Sequence, residues 1–328
     1  MTTSADLPVT ESGMSRRRVP DFFIVGQFKS GTTALYEMLR RHPQIFMPEF
    51  KELWYLAPEL RSHSRATKGA DTLAGYLAHF AAAEPAQRAG EATPSYLMSH
   101  TAAGRIAELQ PDAKIIAILR EPAGFLRSFH LQCLQNRTET ETDLRKALAL
   151  EPARREGREI PRHSPRPQEL LYSEHVRYVE QLQRYRAVFP PEQILVLIYE
   201  DFRADNLGTI KSVLRFLDVD DSYPLDLIEA NPTVRVRSSR LHEILLSIYL
   251  GRGRAGRTTK RAVKWLVPKR FRGQALRATQ RHVIYGSPRP PDEELTLDLR
   301  RRFKGEVEAL SEYLGRDLVS LWGYDGIE

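Results

Sequence analysis

VPDFFIVGQFKSGTTALYEMLRRHP, residues 19–43, sets an apolar run against a glycine-framed loop and then a helical pattern. The run Phe22-Phe23-Ile24-Val25 stops at Gly26, and Gly31 follows after four intervening residues. A nucleoside-triphosphatase loop would continue with lysine and then serine or threonine. Here position 32 is threonine, and the one lysine, Lys29, sits inside the loop. Successive backbone N–H groups from Lys29 to Thr33 predict a concavity that holds an anion, assisted by the dipole of the following helix. Gly31 lets a ligand approach closely, and Thr32 and Thr33 add hydroxyl donors. The plainer alternative is a tight strand-to-helix turn capped by threonine, although a cap does not call for Lys29 beside it.

Outward from this stretch, residues 114–119 (KIIAIL) and 193–199 (QILVLIY) are further continuous apolar runs rich in β-branched residues. Such runs suit strands buried on both faces of a parallel sheet. Helical periodicity covers Ala34 to Arg41, Ala102 to Leu109, the stretch after Pro122, Glu169 to Val188, Leu207 to Leu217 and Glu293 to Leu314. The alternation predicts an α/β fold with a mainly parallel central sheet flanked by helices. A polar tail over 1–18 precedes a single domain over 19–328. Two stretches depart in composition: 138–168, read as a solvated charged loop or an acceptor-side lid, and the basic segment 251–281.

The chain has 328 residues, 41% hydrophobic and 28% charged, enough for a sizeable core. No apolar run approaches the roughly 20 residues of a membrane span, and the N-terminus lacks a secretory apolar core. A single cysteine, Cys133, excludes an internal disulfide and points to a reducing, cytoplasmic setting. The nine histidines show no metal-ligand spacing, so no metal is expected. A formal charge of +7 favours acidic partners. Segment 251–281 has eleven basic residues and no acidic one, with Trp265, Leu266 and Val267 in its middle. It reads as attraction for an anionic ligand, adhesion to nucleic acid or an anionic membrane, or a solvated basic face.

Ligands of open α/β sheets bind at the carboxyl ends of strands. At the end of 114–119, Arg120 follows the strand directly, Pro122 stands where proline opens helices, and Ser128 lies about two helical turns on. An arginine fork and a serine hydroxyl would close on a second phosphate; otherwise Arg120 is a surface residue at the sheet edge. A cation at this strand end repels the magnesium that a triphosphatase holds there.

With these residues in view, the chain resembles the sulfotransferases that use 3′-phosphoadenosine 5′-phosphosulfate (PAPS), in the branch of the heparan-sulfate sulfotransferases and their bacterial relatives. Lys29-Ser30-Gly31-Thr32-Thr33 matches the family's 5′-phosphosulfate loop, and Arg120 with Ser128 matches its 3′-phosphate site. GEATPSYL (90–97), FPPEQILVLIYEDFRADN (189–206) and LSEYLGRDLVSLW (310–322) extend the similarity. The resemblance implies sulfuryl transfer from PAPS to a hydroxyl, less readily an amine, with no metal. It implies that Lys29 stabilises charge on the departing bridging oxygen and that Glu52, in Lys51-Glu52 before an aromatic cluster, is the base. Without the family, Glu52 reads as a solvated carboxylate; Glu91 is its rival. Phe125 stands where many relatives carry arginine, with Arg127 as a substitute, and Ala92 where some carry lysine.

His42 is expected to close the first helix, and His130 and Cys133 to line or pack one. Two other readings stay open: a phosphoryl-transfer enzyme, and a non-enzymatic nucleotide- or polyanion-binding module using 251–281. The acceptor, carbohydrate or small molecule, is not legible.

Overall fold

Five strands, Phe22–Gly26 (β1), Ile45–Phe46 (β2), Arg88–Ala92 (β3), Lys114–Leu119 (β4) and Ile194–Ile198 (β5), form one parallel sheet in the order β2-β3-β1-β4-β5. The protein is represented by a computed structural model that describes residues 18–61, 69–162, 164–225 and 292–327, with the backbone of short strands at 235–236 and 285–286. The basic segment 251–281 and the tail up to residue 17 lie outside the described residues.

The three apolar runs become β1, β4 and β5. Phe22, Phe23, Ile24 and Val25 are fully buried, as are Ile116 to Leu119. Each large apolar side chain there contributes about 1.5–3 kcal/mol by leaving water, whereas in β5, at the sheet edge, Leu195 and Val196 are only half-buried. β3 has a different composition, RAGEA. It pairs with β1 through Phe22↔Gly90, Phe23↔Glu91 and Ile24↔Ala92. A Cβ at Gly90 would meet the Phe22 ring at 2.1 Å and the Met47 sulfur at 2.6 Å. Small residues are therefore required where those side chains lie across the strand.

Eleven α-helices are described. They are α1 (Thr32–Leu39), α2 (Leu73–Ala78), α3 (Ala102–Leu109), α4 (Pro122–Asn136), α5 (Leu144–Ala149), α6 (Glu151–Arg155), α7 (Tyr178–Arg186), α8 (Tyr199–Ala204), α9 (Asn206–Phe216), α10 (Glu293–Leu314) and α11 (Leu318–Leu321). None is long and apolar enough to cross a membrane. Contacts group the chain into two compact units: Met1–Gln27, Gly31–Leu119 and Gln181–Ile228 in the first, Phe28–Ser30, Arg120–Glu180 and Glu229–Glu328 in the second.

The first unit holds the sheet. α1 follows β1 and buries Ala34, Leu35, Met38 and Leu39, while α9 buries Ile210, Val213 and Leu214. His42 closes the first helix: its N–H donates to Leu39 O at 3.0 Å and its Nε2 lies 2.8 Å from Asp220 O.

Apart from the short strands at 235–236 and 285–286, the described elements of the second unit are helices. Glu169 to Val188 is not one helix, although Tyr172, His175 and Val176 are buried at helical spacing. The chain takes two 3₁₀ turns, Pro167–Leu170 and Tyr172–Val176, before α7. Likewise 138–168 is more than a charged loop. α5 buries Leu144, Ala147 and Leu148, and the ion pair of Arg154 with Glu139, at 2.8 Å, is almost fully enclosed. Tyr172 donates to Glu139 at 3.0 Å. The charge count of this stretch conceals a buried pair satisfied by its own neighbours.

Candidate functional site

In the first unit β1 lies between β3 and β4, and the next strand lies toward one edge of the sheet after β1 and toward the opposite edge after β4. The carboxyl ends of β1 and β4 therefore border the topological switch point, the usual ligand crevice of such sheets.

Gly31 stands at the N-cap of α1 with φ 88° and makes no side-chain cap. The caps of α2, α4, α5, α9, α10 and α11 do, through Thr72, Glu121, Asp143, Asp205, Asp292 and Asp317. The threonine-capped turn expected as the plain alternative is not formed. Glycine is needed both for the left-handed backbone and because a Cβ would approach the Phe202 ring to 3.0 Å. Thr32 and Thr33 follow, each accepting a hydrogen bond from Lys51 Nζ, at 3.3 and 3.0 Å. Burial depresses the Lys51 pKa, with Glu52 and Glu37 pulling it back up.

Glu52 is half-buried, and its N–H donates to Ala92 O at the end of β3, at 3.0 Å. Glu52 and Trp54 both have φ 62°, a left-handed backbone that non-glycine residues seldom adopt. This loop is tied down further by Leu56 N–H, which donates to Tyr96 Oη at 3.2 Å, and by Tyr55, stacked on Tyr76 with ring centroids 4.7 Å apart. Tyr76 donates in turn to Glu91 at 2.5 Å, and Thr93 donates to the other carboxylate oxygen at 2.6 Å. Glu91 is 1% exposed, and burial raises its pKa to about 6 against the pull of those hydroxyls. Of the two candidate bases, Glu91 is enclosed among its own hydrogen-bond donors and Glu52 reaches solvent.

In the second unit Lys29 has φ 56°, and its carbonyl accepts a hydrogen bond from Arg120 Nη1 at 2.9 Å. Burial lowers the Lys29 pKa, and the Arg120 charge lowers it further. Buried Ser30 donates to Phe28 O at 3.1 Å. The Phe28 ring stacks on Phe129 of α4 at 5.4 Å, anchoring the loop beside Lys29. Phe125, where relatives carry arginine, is fully buried and stacked on Phe129 at 5.6 Å. His175 joins these rings, its pKa lowered to about 4 by burial, so it packs as a neutral ring.

α4 begins at Pro122 with Glu121 as its cap, the carboxylate accepting from Gly124 N–H at 2.5 Å. Ser128, two turns in, is buried. Tyr178 donates to Arg120 O at 2.9 Å. Tyr324 donates to Glu121 Oε1 at 2.9 Å, and Arg300 pairs with the same oxygen at 3.5 Å. Burial depresses the pKa of half-buried Arg127, and the Arg120 charge lowers it further. Cys133 and His130 are packing residues of α4: both are buried, and burial raises the Cys133 pKa to about 12.

The structure thus brings Lys29 to Arg120, and it ties the Glu52 loop to the end of β3 that carries Glu91. Sequence reasoning missed the part of Lys51, whose only signal was its place beside Glu52, and those of Phe28, Tyr76 and Tyr324.

The model of the sulfotransferase family matches residues 20–223. Membrane-associated sulfotransferase kil1 of Dictyostelium discoideum is 35% identical over 104 residues, 32% of this chain and 21% of that protein. Heparan sulfate glucosamine 3-O-sulfotransferase 6 of Mus musculus is 32% identical over 218 residues, 64% of this chain and 55% of that protein. The chain therefore spans about half or less of the length of these curated relatives. A crystal structure of a sulfotransferase from Alicyclobacillus acidocaldarius superposes with TM-score 0.63 at 24% identity, over 93% of this chain and 99% of that one. That likeness bears on the fold alone. The loop, the strand-end arginine and the β3 stretch all lie inside the matched residues, and this chain belongs to the sulfotransferase family.

Proposed function

We propose that this protein transfers the sulfuryl group of PAPS to a hydroxyl of a carbohydrate or small-molecule acceptor. The observation that carries the proposal is the hydrogen bond from Arg120 to the Lys29 carbonyl, beside a lysine whose pKa is lowered partly by that arginine. Two cations held side by side repel each other, and an anionic ligand relieves that cost. The uncapped start of α1 behind Gly31 gives the same preference for an anion.

In this reading Lys29, Ser30, Gly31, Thr32 and Thr33 take the 5′-phosphosulfate, and Arg120 and Ser128 take the 3′-phosphate. Transfer is an in-line displacement: the acceptor oxygen forms a bond to sulfur while the bond from sulfur to the bridging oxygen breaks. Lys29 stabilises the charge growing on that oxygen. Glu52 accepts the acceptor's proton, favoured over Glu91 because it is the carboxylate open to solvent. Relatives named for glucosamine 3-O-sulfation support a carbohydrate hydroxyl, and an amine is the less favoured acceptor.

Thermal shift tests this. Stabilisation by 3′,5′-bisphosphoadenosine without magnesium is expected. A requirement for ATP with magnesium would point instead to phosphoryl transfer, and response to polyanions alone to a binding module. Radiolabelled donor offered to a pool of acceptors then identifies the product.

A further inference from the structure

Lys51 lies outside the roles assigned above, yet its ammonium donates to both hydroxyls that open α1, Thr32 Oγ at 3.3 Å and Thr33 Oγ at 3.0 Å. An ammonium has three donors and no acceptor, whereas a hydroxyl has one hydrogen and two lone pairs. When the ammonium takes a lone pair on each oxygen, each hydroxyl hydrogen must point away from it. Threonine in a first helical turn has other choices open to it, since its hydroxyl accepts from nearby N–H groups or donates to a carbonyl. Here the ammonium removes one of those choices, so both residues remain as donors and their O–H bonds are polarised by the adjacent charge.

The setting is costly for a cation. A helix N-terminus carries partial positive charge, and α1 has no side-chain cap to offset it. Burial depresses the Lys51 pKa, while the charges of Glu52 and Glu37 raise it. A positive helix end, a cation behind two hydroxyls and no capping oxygen together suit an incoming anionic oxygen.

We infer that Lys51 is a positioning residue of the donor site, which fixes the Thr32 and Thr33 hydroxyls as donors toward a phosphate or sulfonate oxygen. The inference rests on the reading of Thr33 as a donor contact, and it extends that site to a side chain 18 residues away in sequence. Lys51 acts through the threonines without touching the ligand. It also sits next to Glu52, so the segment that carries the proposed base is fastened to the helix that meets the donor.

The test is a double-mutant cycle read by calorimetry with 3′,5′-bisphosphoadenosine on the full chain. The four proteins are the wild type, Lys51→Met, Thr33→Val and the double variant. Each single change is expected to weaken binding roughly 10-fold, the scale of a charge-assisted hydrogen bond. The double variant should be no weaker than about the worse single, because both changes remove one linked element. Melting temperatures should stay within a few degrees of the wild type. Wild-type affinity in Lys51→Met beside a weakened Thr33→Val overturns the inference and leaves the donor site standing. Additive losses also overturn it, since Lys51 would then act independently of Thr33. Wild-type affinity in Thr33→Val removes the donor reading of Thr33 itself. Should Lys51→Met not fold, Lys51→Gln takes its place in the same cycle with the same outcomes.

Discussion

Arg120 donates from its guanidinium to the main-chain carbonyl of Lys29 at 2.9 Å. The strand-end arginine and the loop lysine are 91 residues apart in sequence, yet one bond fixes the backbone of the second from the side chain of the first. Because the contact is made to the carbonyl, the Lys29 ammonium is left to act on its own account. Substitutions at the two positions should therefore have different signatures.

Arg120→Ala should weaken 3′,5′-bisphosphoadenosine by roughly 10- to 100-fold, the loss of one charge-assisted contact of about 1.5–3 kcal/mol. An analogue without the 3′-phosphate should bind almost as before. Equal weakening of both ligands in calorimetry would mean that Arg120 serves only to hold the loop through Lys29.

Lys29→Ala keeps the carbonyl that Arg120 grips, so donor affinity should change little. Turnover should fall by roughly 10²- to 10³-fold, as for the loss of one donor that stabilises transition-state charge. A raised donor KM with unchanged kcat would contradict that role.

Glu52→Gln should preserve the fold and bisphosphoadenosine binding while lowering kcat by about 10²- to 10⁴-fold, the usual range for a lost general base. Glu91→Gln should be milder, because Glu91 faces Tyr76 and Thr93 in the interior. A dead Glu91→Gln enzyme beside a near-normal Glu52→Gln one would reverse the two assignments.

Glu91 should also leave a mark on stability. Its pKa rises from 4.5 to about 6 on folding, so between those values the native state binds more protons than the unfolded chain. Stability from this group is fully present below pH 4.5 and is lost as pH rises through 6, by about 2 kcal/mol. Chemical denaturation across that window should show the loss in the wild type relative to Glu91→Gln. Parallel curves for the two proteins would mean that the carboxyl titrates normally.

Tyr324→Phe removes the hydroxyl that donates to Glu121 at 2.9 Å. Glu121 also caps α4 and directly follows Arg120, so a loosened carboxylate competes for the neighbouring guanidinium. Bisphosphoadenosine affinity should fall several-fold by calorimetry, and melting should drop by the equivalent of about 1 kcal/mol. Unchanged binding in a folded variant would confine Tyr324 to packing.

The residues 19–43 alone determined β1, the loop and α1, because an unbroken apolar run, a glycine and a helical period are local signals. Arg120 and Ser128 were legible for the same reason: one ends an apolar strand, and the other sits on the helix that proline opens. β3 was not, since RAGEA is nearly featureless until the Phe22 ring and Met47 sulfur lie across Gly90. Nor could composition tell that Glu139 and Arg154 are interior, that Tyr76 comes to Glu91, or that Lys51 sits on Thr32 and Thr33. Each of those facts depends on a partner remote in the chain. A lone charge is costly to bury and a paired one is tolerated, so the place of a polar side chain is decided only when folding supplies its partner.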